Sequence, residues 1–187
     1  VQRHVDDGID YLMMINDFPE ASLNTVLTHH ERYDGSGYPN KLKAHQIPVF
    51  GRMAAIIDCY QAMISKRSYS DAISAHTALQ KIYSWRNLYF QNELVEQSLR
   101  CMGVYPTGAL LEMTSCEVGI VLSQHREKHI KPVVMILLDK NKQALKDYRV
   151  VDLSVTAEQN KDQVKSIEIL RGLDPGAYGI EPSDFYP

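Results

Sequence analysis

The sequence predicts a mainly α protein followed by a small antiparallel β unit, on three observations. Apolar residues recur at helical spacing through the first hundred or so positions. The pattern breaks at Tyr105-Pro106-Thr107-Gly108, and beyond it short runs rich in β-formers alternate with turn-forming stretches. These place a helical domain at residues 1–104 and a β extension with a helical or irregular tail at 105–187. The chain has 187 residues, 44% of them hydrophobic, which is ordinary for a globular protein with one sizeable core and a smaller unit. A net charge of −3 gives no global attraction to nucleic acid, so an anionic ligand must be held by local cations or metal.

In residues 1–16, Val5, Ile9, Leu12 and Met13 form one helical stripe, with His4, Gly8 and Tyr11 on a neighbouring face. Asn16-Asp17-Phe18-Pro19 interrupts it, and Pro19 suits the opening turn of a second helix over about 20–31. There Leu23, Val26, Leu27 and His30 share a face, which puts an imidazole where an apolar residue is expected. Pro48 opens the clearest helix, a core helix with Val49, Met53, Ile56, Ile57, Tyr60 and Ile64 at helical spacing. Ser70-Asp71 resembles an N-cap for a helix from Ala72 to about Asn87, and a further helix spans Glu93 to Met102. Strands are expected at Ala109–Met113, Glu117–Leu122, Val133–Leu138 and Arg149–Leu153. After Thr156 come a short helix at Asp162–Leu170 and a tail packing back through Tyr178, Phe185 and Tyr186.

Chemistry concentrates in His29-His30-Glu31-Arg32-Tyr33-Asp34-Gly35-Ser36-Gly37-Tyr38-Pro39. A histidine pair at a helix end is also what a favourable cation near the C-terminal dipole looks like. His29 projects about 100° from His30 around the helix, so the two as neighbouring ligands would reach different metals or different sides of one. Gly35 and Gly37 suit positive φ and close backbone approach, and Tyr38-Pro39 stiffens the exit. Asp58 lies inside an apolar helical stretch, where a carboxylate needs a partner or a metal. His125 and His129 are an i, i+4 pair in a basic loop without nearby carboxylates, a poor zinc site. Cys59, Cys101 and Cys116 form no C-x-x-C pair and read as buried, unreactive thiols.

The whole string resembles the H-H-E-x-x-D-G-x-G-Y-P signature of the HD-GYP family, metal-dependent phosphodiesterases that hydrolyse the bacterial messenger cyclic di-GMP. The resemblance runs through Ile47-Pro48, Arg52, Asp58, Arg67-Ser68-Tyr69, Phe90 and Gly103-Val104-Tyr105-Pro106, covering about residues 1 to 108. It implies an HD-type helical phosphohydrolase domain with its N-terminal helices and upstream H-D motif outside this chain, so that residues 1–187 alone are expected to be inactive. It also implies two or three divalent ions, iron or manganese, with His4, His29, His30 and Asp58 as ligands. Arg67 would orient the nucleotide, and Lys41 and Lys43 would attract its phosphates. Gly35, Gly37, Tyr38 and Pro39 would shape the loop beside the metals, with Glu31 and Asp34 as further residues of the motif loop.

Three departures qualify the match. Lys41 and Lys43-Ala44-His45 replace glycine-containing turns, Gln61 stands for a second aspartate, and Ser70 for the cation after the tyrosine. They motivate an alternative, a catalytically degenerate domain that binds nucleotide or docks a protein such as a diguanylate cyclase. Apolar faces expected to lie open around Val5 and Ile56 imply a homodimer or packing on another chain. The aliphatic run Val133–Leu138 is too short to cross a bilayer, and the expected location is the cytoplasm of a bacterium.

Overall fold

The structure is a computed structural model that describes residues 3–67, 71–125, 128, 130–155 and 167–185. Among these lie five α-helices: α1 Arg3–Met13, α2 Glu20–Thr28, α3 Val49–Ile64, α4 Ala75–Ser84 and α5 Asn92–Met102. Five strands follow: β1 Leu110–Met113, β2 Val118–Ser123, β3 Val133–Leu138, β4 Ala144–Asp152 and β5 Ile169–Leu173. The mainly helical half and the antiparallel β half are therefore both present. The chain forms two compact units, one of Val1–Ala62 with Gln80–Ser98, the other of Met63–Leu79 with Leu99–Pro187.

In the first unit Val5, Ile47, Ala55, Ile56, Tyr60, Ile82, Phe90 and Val95 are buried. The faces expected to lie open around Val5 and Ile56 are thus closed. The helix after Pro48 is amphipathic rather than wholly core: Ile56 and Tyr60 face inward, while Val49, Phe50, Met53 and Ile57 are exposed. Their stripe is at helical spacing, and periodicity alone does not say which of two adjacent apolar faces finds a neighbour. Helices α2 and α3 approach closely because Gly51 has no side chain; a Cβ there would lie 2.0 Å from Thr28 Oγ1. That contact fixes the C-terminal end of α2, which carries the histidine pair.

The second unit is built on one antiparallel sheet of order β4-β3-β2-β1-β5. Its central strands are buried on both faces. Leu111, Met113, Val121, Val134, Ile136 and Val151 form one core, and Leu110, Val118, Ile120, Leu137 and Ile180 form the other. Strand alternation sends Leu110 and Glu112 to one side and Leu111 and Met113 to the other. Glu112 would be a costly buried charge, but Lys142 Nζ at 2.5 Å and Arg171 Nη2 at 2.7 Å neutralise it.

Several expectations are corrected here. β4 begins at Ala144, inside a stretch read from sequence as loop, because pairing with β3 supplies the ladder that its polar residues do not advertise. Ile169 and Leu170 belong to strand β5, not to a helix, since β1 has an open edge that they satisfy; residues 162–166 lie outside the described residues. Helix α4 starts three residues later than predicted and is capped by Ser74, whose Oγ accepts the Thr77 N–H at 3.2 Å while Asp174 accepts the Ser74 N–H at 2.6 Å. Ser70, the expected cap and departure site, lies outside the described residues. Cys101 and Cys116 are exposed and Cys59 half-buried, so the thiols are not core residues. The tail returns to the sheet through Ile180 and Phe185, with Tyr178 half exposed beneath Lys142; Tyr186 is outside the described residues. His125 does meet a carboxylate, Asp152 at 2.9 Å, while His129 is outside the described residues.

Candidate metal centre

Helix α2 ends at Thr28, before the histidine pair, and His29 occupies its C-cap. His29 keeps right-handed helical dihedrals, φ −67° and ψ −16°, and its ring still lies beside that of His30. Their rings lie 4.0 Å apart at 39°, and His4 from α1 joins them, with ring centroids 5.7 Å from His29 and 4.9 Å from His30. One ligand nitrogen from each of His4, His29 and His30 falls within 4.8 Å of the others. Two of them, His4 Nε2 and His30 Nε2, face each other at 3.0 Å.

The tautomers follow from what the other nitrogens touch. His29 Nδ1 is 2.6 Å from the Val26 carbonyl, which can only accept, so Nδ1 carries the proton and Nε2 keeps its lone pair. His30 Nδ1 lies 3.4 Å from Asp58 Oδ2, leaving Nε2 to face His4. Burial, with the neighbouring His29 ring next in weight, lowers the His30 pKa from 6.5 to about 4, against the opposing pull of Asp58. His30 is therefore neutral at physiological pH, the form in which imidazole ligates. Asp58 is 37% exposed, so it is not the deeply desolvated carboxylate its apolar sequence context suggested. The three imidazole nitrogens form a donor set that fits a first-row divalent ion, while Asp58 stands at His30 Nδ1, outside that group.

The loop that follows is shaped around this cluster. Asp34 Oδ1 accepts from the Ser36 N–H at 2.9 Å and the Ser36 hydroxyl at 2.7 Å, closing a turn in which Gly35 takes φ +84°. Gly37 is needed for a different reason than expected. Its φ is not positive, but a Cβ would lie 2.4 Å from Arg32 N and 2.5 Å from Glu31 Cα, so only glycine lets the chain cross its own backbone. Tyr38 then stacks on His30, with centroids 4.7 Å apart at 27°, and the Tyr38–Pro39 peptide is cis. Lys41 and Lys43 are exposed, and the aliphatic part of Lys43 lies over Gly35. Arg67 is exposed and belongs to the other compact unit.

Sequence reasoning gave Glu31 a place in the motif but no role. In the structure Glu31 is 1% exposed, and its carboxylate accepts the Asn40 N–H at 2.7 Å and the Leu42 N–H at 3.1 Å. The signal was the cost of burying a charge: a carboxylate directly after the histidine pair must find donors if it turns inward.

Residues 1–94 match the model of the HD domain family. A cyclic di-GMP phosphodiesterase of Pseudomonas aeruginosa is 31% identical over 161 residues, 86% of this chain and 39% of that protein. A cyclic di-GMP phosphodiesterase of Thermotoga maritima is 42% identical over 101 residues, 54% of this chain and 27% of its own length. A 3'3'-cGAMP-specific phosphodiesterase of Vibrio cholerae is 35% identical over 97 residues, 51% of this chain and 19% of its own. The chain thus spans well under half the length of these curated relatives. By the match over its first half and the intact motif from His29 to Pro39, the chain belongs to the HD domain family, in its HD-GYP form.

Proposed function

We propose that this chain carries part of a metal-dependent phosphodiesterase that hydrolyses cyclic di-GMP in bacterial second-messenger signalling, in the cytoplasm. The observation that carries the reading is the convergence of His4, His29 and His30 on one point, with protons held away from it at His29 Nδ1 by a carbonyl. Two or three divalent ions, iron or manganese, are proposed with Asp58 as the carboxylate of the set. When bound, such ions supply an activated water and neutralise charge on phosphoryl oxygens. The chain's own contribution is to keep the imidazoles neutral and oriented: burial does the first for His30, and Asp58, Val26 and Tyr38 do the second. The exposed Lys41 and Lys43 are proposed to attract the phosphates of the nucleotide. Residues 1–104 would carry this chemistry and 105–187 form an accessory extension. A diguanylate cyclase domain, met through the Gly37-Tyr38-Pro39 loop, or a second copy of the chain would be its protein partner. Among the described residues no helix is long and apolar enough to cross a membrane.

The test is elemental analysis and hydrolysis in parallel, in the whole protein that contains this sequence. His29→Ala and His30→Ala should each strip metal and abolish hydrolysis of cyclic di-GMP; unchanged metal content in both variants would remove the ligand assignment. Offering 3'3'-cGAMP beside cyclic di-GMP checks the substrate, because relatives named for each resemble this chain. A clear preference for 3'3'-cGAMP would replace the proposed nucleotide while leaving the metal centre in place.

A further inference from the structure

We propose that Glu31 is a positioning residue for the metal centre, a buried clamp that presses the Tyr38 ring against His30. The inference rests on the metal-centre reading above. Glu31 is among the most deeply buried side chains of the chain, and no lysine or arginine forms an ion pair with it among the described residues. Its two oxygens instead each take one backbone N–H from the far side of the loop, Asn40 and Leu42. A carboxylate held this way ties the loop exit to the residue directly after His30. Tyr38 lies between the two anchored ends: its N–H reaches the His30 carbonyl at 3.3 Å and its ring covers the His30 imidazole. Gly37 makes the crossing possible, since any Cβ would push the loop off the Glu31–Arg32 backbone. The His30 ring is thus held between Asp58 at Nδ1 and Tyr38 on its face, and Glu31 sets where Tyr38 can be. Groups that orient a ligand imidazole from behind typically change metal affinity by about 10–100-fold when removed.

Two substitutions separate the clamp from the ring it positions. In Glu31→Gln one oxygen still accepts, but the amide nitrogen confronts the Leu42 N–H donor to donor, so the loop exit must let go. Tyr38→Ala leaves the clamp intact and removes only the ring, at a half-buried position. Co(II) serves as the probe, read by its visible absorption and by titration, together with amide exchange at Asn40 and Leu42. The expected result is weaker Co(II) binding by about 10–100-fold and an altered spectrum in both variants, with loss of amide protection in Glu31→Gln alone. A merely structural glutamate would cost stability and leave the Co(II) spectrum unchanged. Tyr38→Ala with wild-type affinity and spectrum overturns the proposal, whether or not Glu31→Gln folds. If the whole unmutated protein that contains this sequence shows no Co(II) absorption, the metal-centre reading itself is overturned, and this proposal with it.

Discussion

At the scale of single residues, His30 is the most perturbed group of the centre, and its titration makes a specific prediction. Its pKa is lowered to about 4 from an ordinary 6.5, first by burial and then by the adjacent His29. Between those values the unfolded chain binds a proton that the folded chain refuses. Stability contributed by a neutral His30 is therefore complete above pH 6.5 and is lost as pH falls toward 4. Ring resonances of the metal-free chain should show His30 still neutral at pH 5.5. Asp58→Asn should lower its titration further, because the carboxylate is the one neighbour that favours the imidazolium. A rise in that variant would mean that Asp58 does not act on His30 through its charge.

At the scale of elements, two helical glycines call for opposite outcomes. A Cβ at Gly51 would sit 2.0 Å from Thr28 Oγ1, in the contact that seats the end of α2 against α3. Gly51→Ala should destabilise by about 1–3 kcal/mol through overpacking, and should weaken metal binding because His29 and His30 follow directly on Thr28. Gly8 in α1 meets only Val26 Cγ1, at 3.8 Å, an ordinary van der Waals contact. Gly8→Ala should stabilise by about 0.5–1 kcal/mol, since alanine gives up less backbone entropy in a helix. Thermal melts of the pair decide the matter; equal shifts would contradict the packing described. Helix α4 gives a third case: Ser74→Ala removes the acceptor for Thr77 N–H and should cost about 0.5–2 kcal/mol.

At the scale of the whole molecule, one side chain joins three strand-bearing segments of the sheet unit. Glu112 on β1 binds Lys142 from the turn before β4 and Arg171 from β5. The Lys142 hydrogen bond first, and the Arg171 bond next, hold its carboxyl below the usual glutamate range. The contribution to stability is then present above the ordinary glutamate value and is lost as pH falls through the lower folded one. Glu112→Gln should cost about 1–3 kcal/mol at neutral pH and flatten the acid limb of a stability profile. An unchanged acid limb would show that the sheet does not depend on this charge.

The sequence by itself determined the mainly α half, the β half, the family motif and the identity of the candidate ligands, because these are local properties. Periods of 3.6 and 2 are written in neighbouring residues, and a motif is a string. Val133–Leu138 is strand β3 at both ends as predicted, since a continuous aliphatic run between turns has few other solutions. Tertiary structure alone decided what depends on residues distant in the chain. Strands β5 and the first half of β4 exist because a neighbouring edge offers hydrogen bonds, although their own residues carry weak strand patterning. The stripe on α3 divides into a covered and an exposed face according to which elements pack on it. His4 meets His29 and His30 because α1 packs beside the end of α2, a contact between residues about 25 positions apart. Glu31 is buried because two amides from the far side of a loop are there to receive it. Local spacing can say where a side chain starts from the backbone, but only the packed chain supplies the partner that makes burial of a charge or the meeting of three imidazoles affordable.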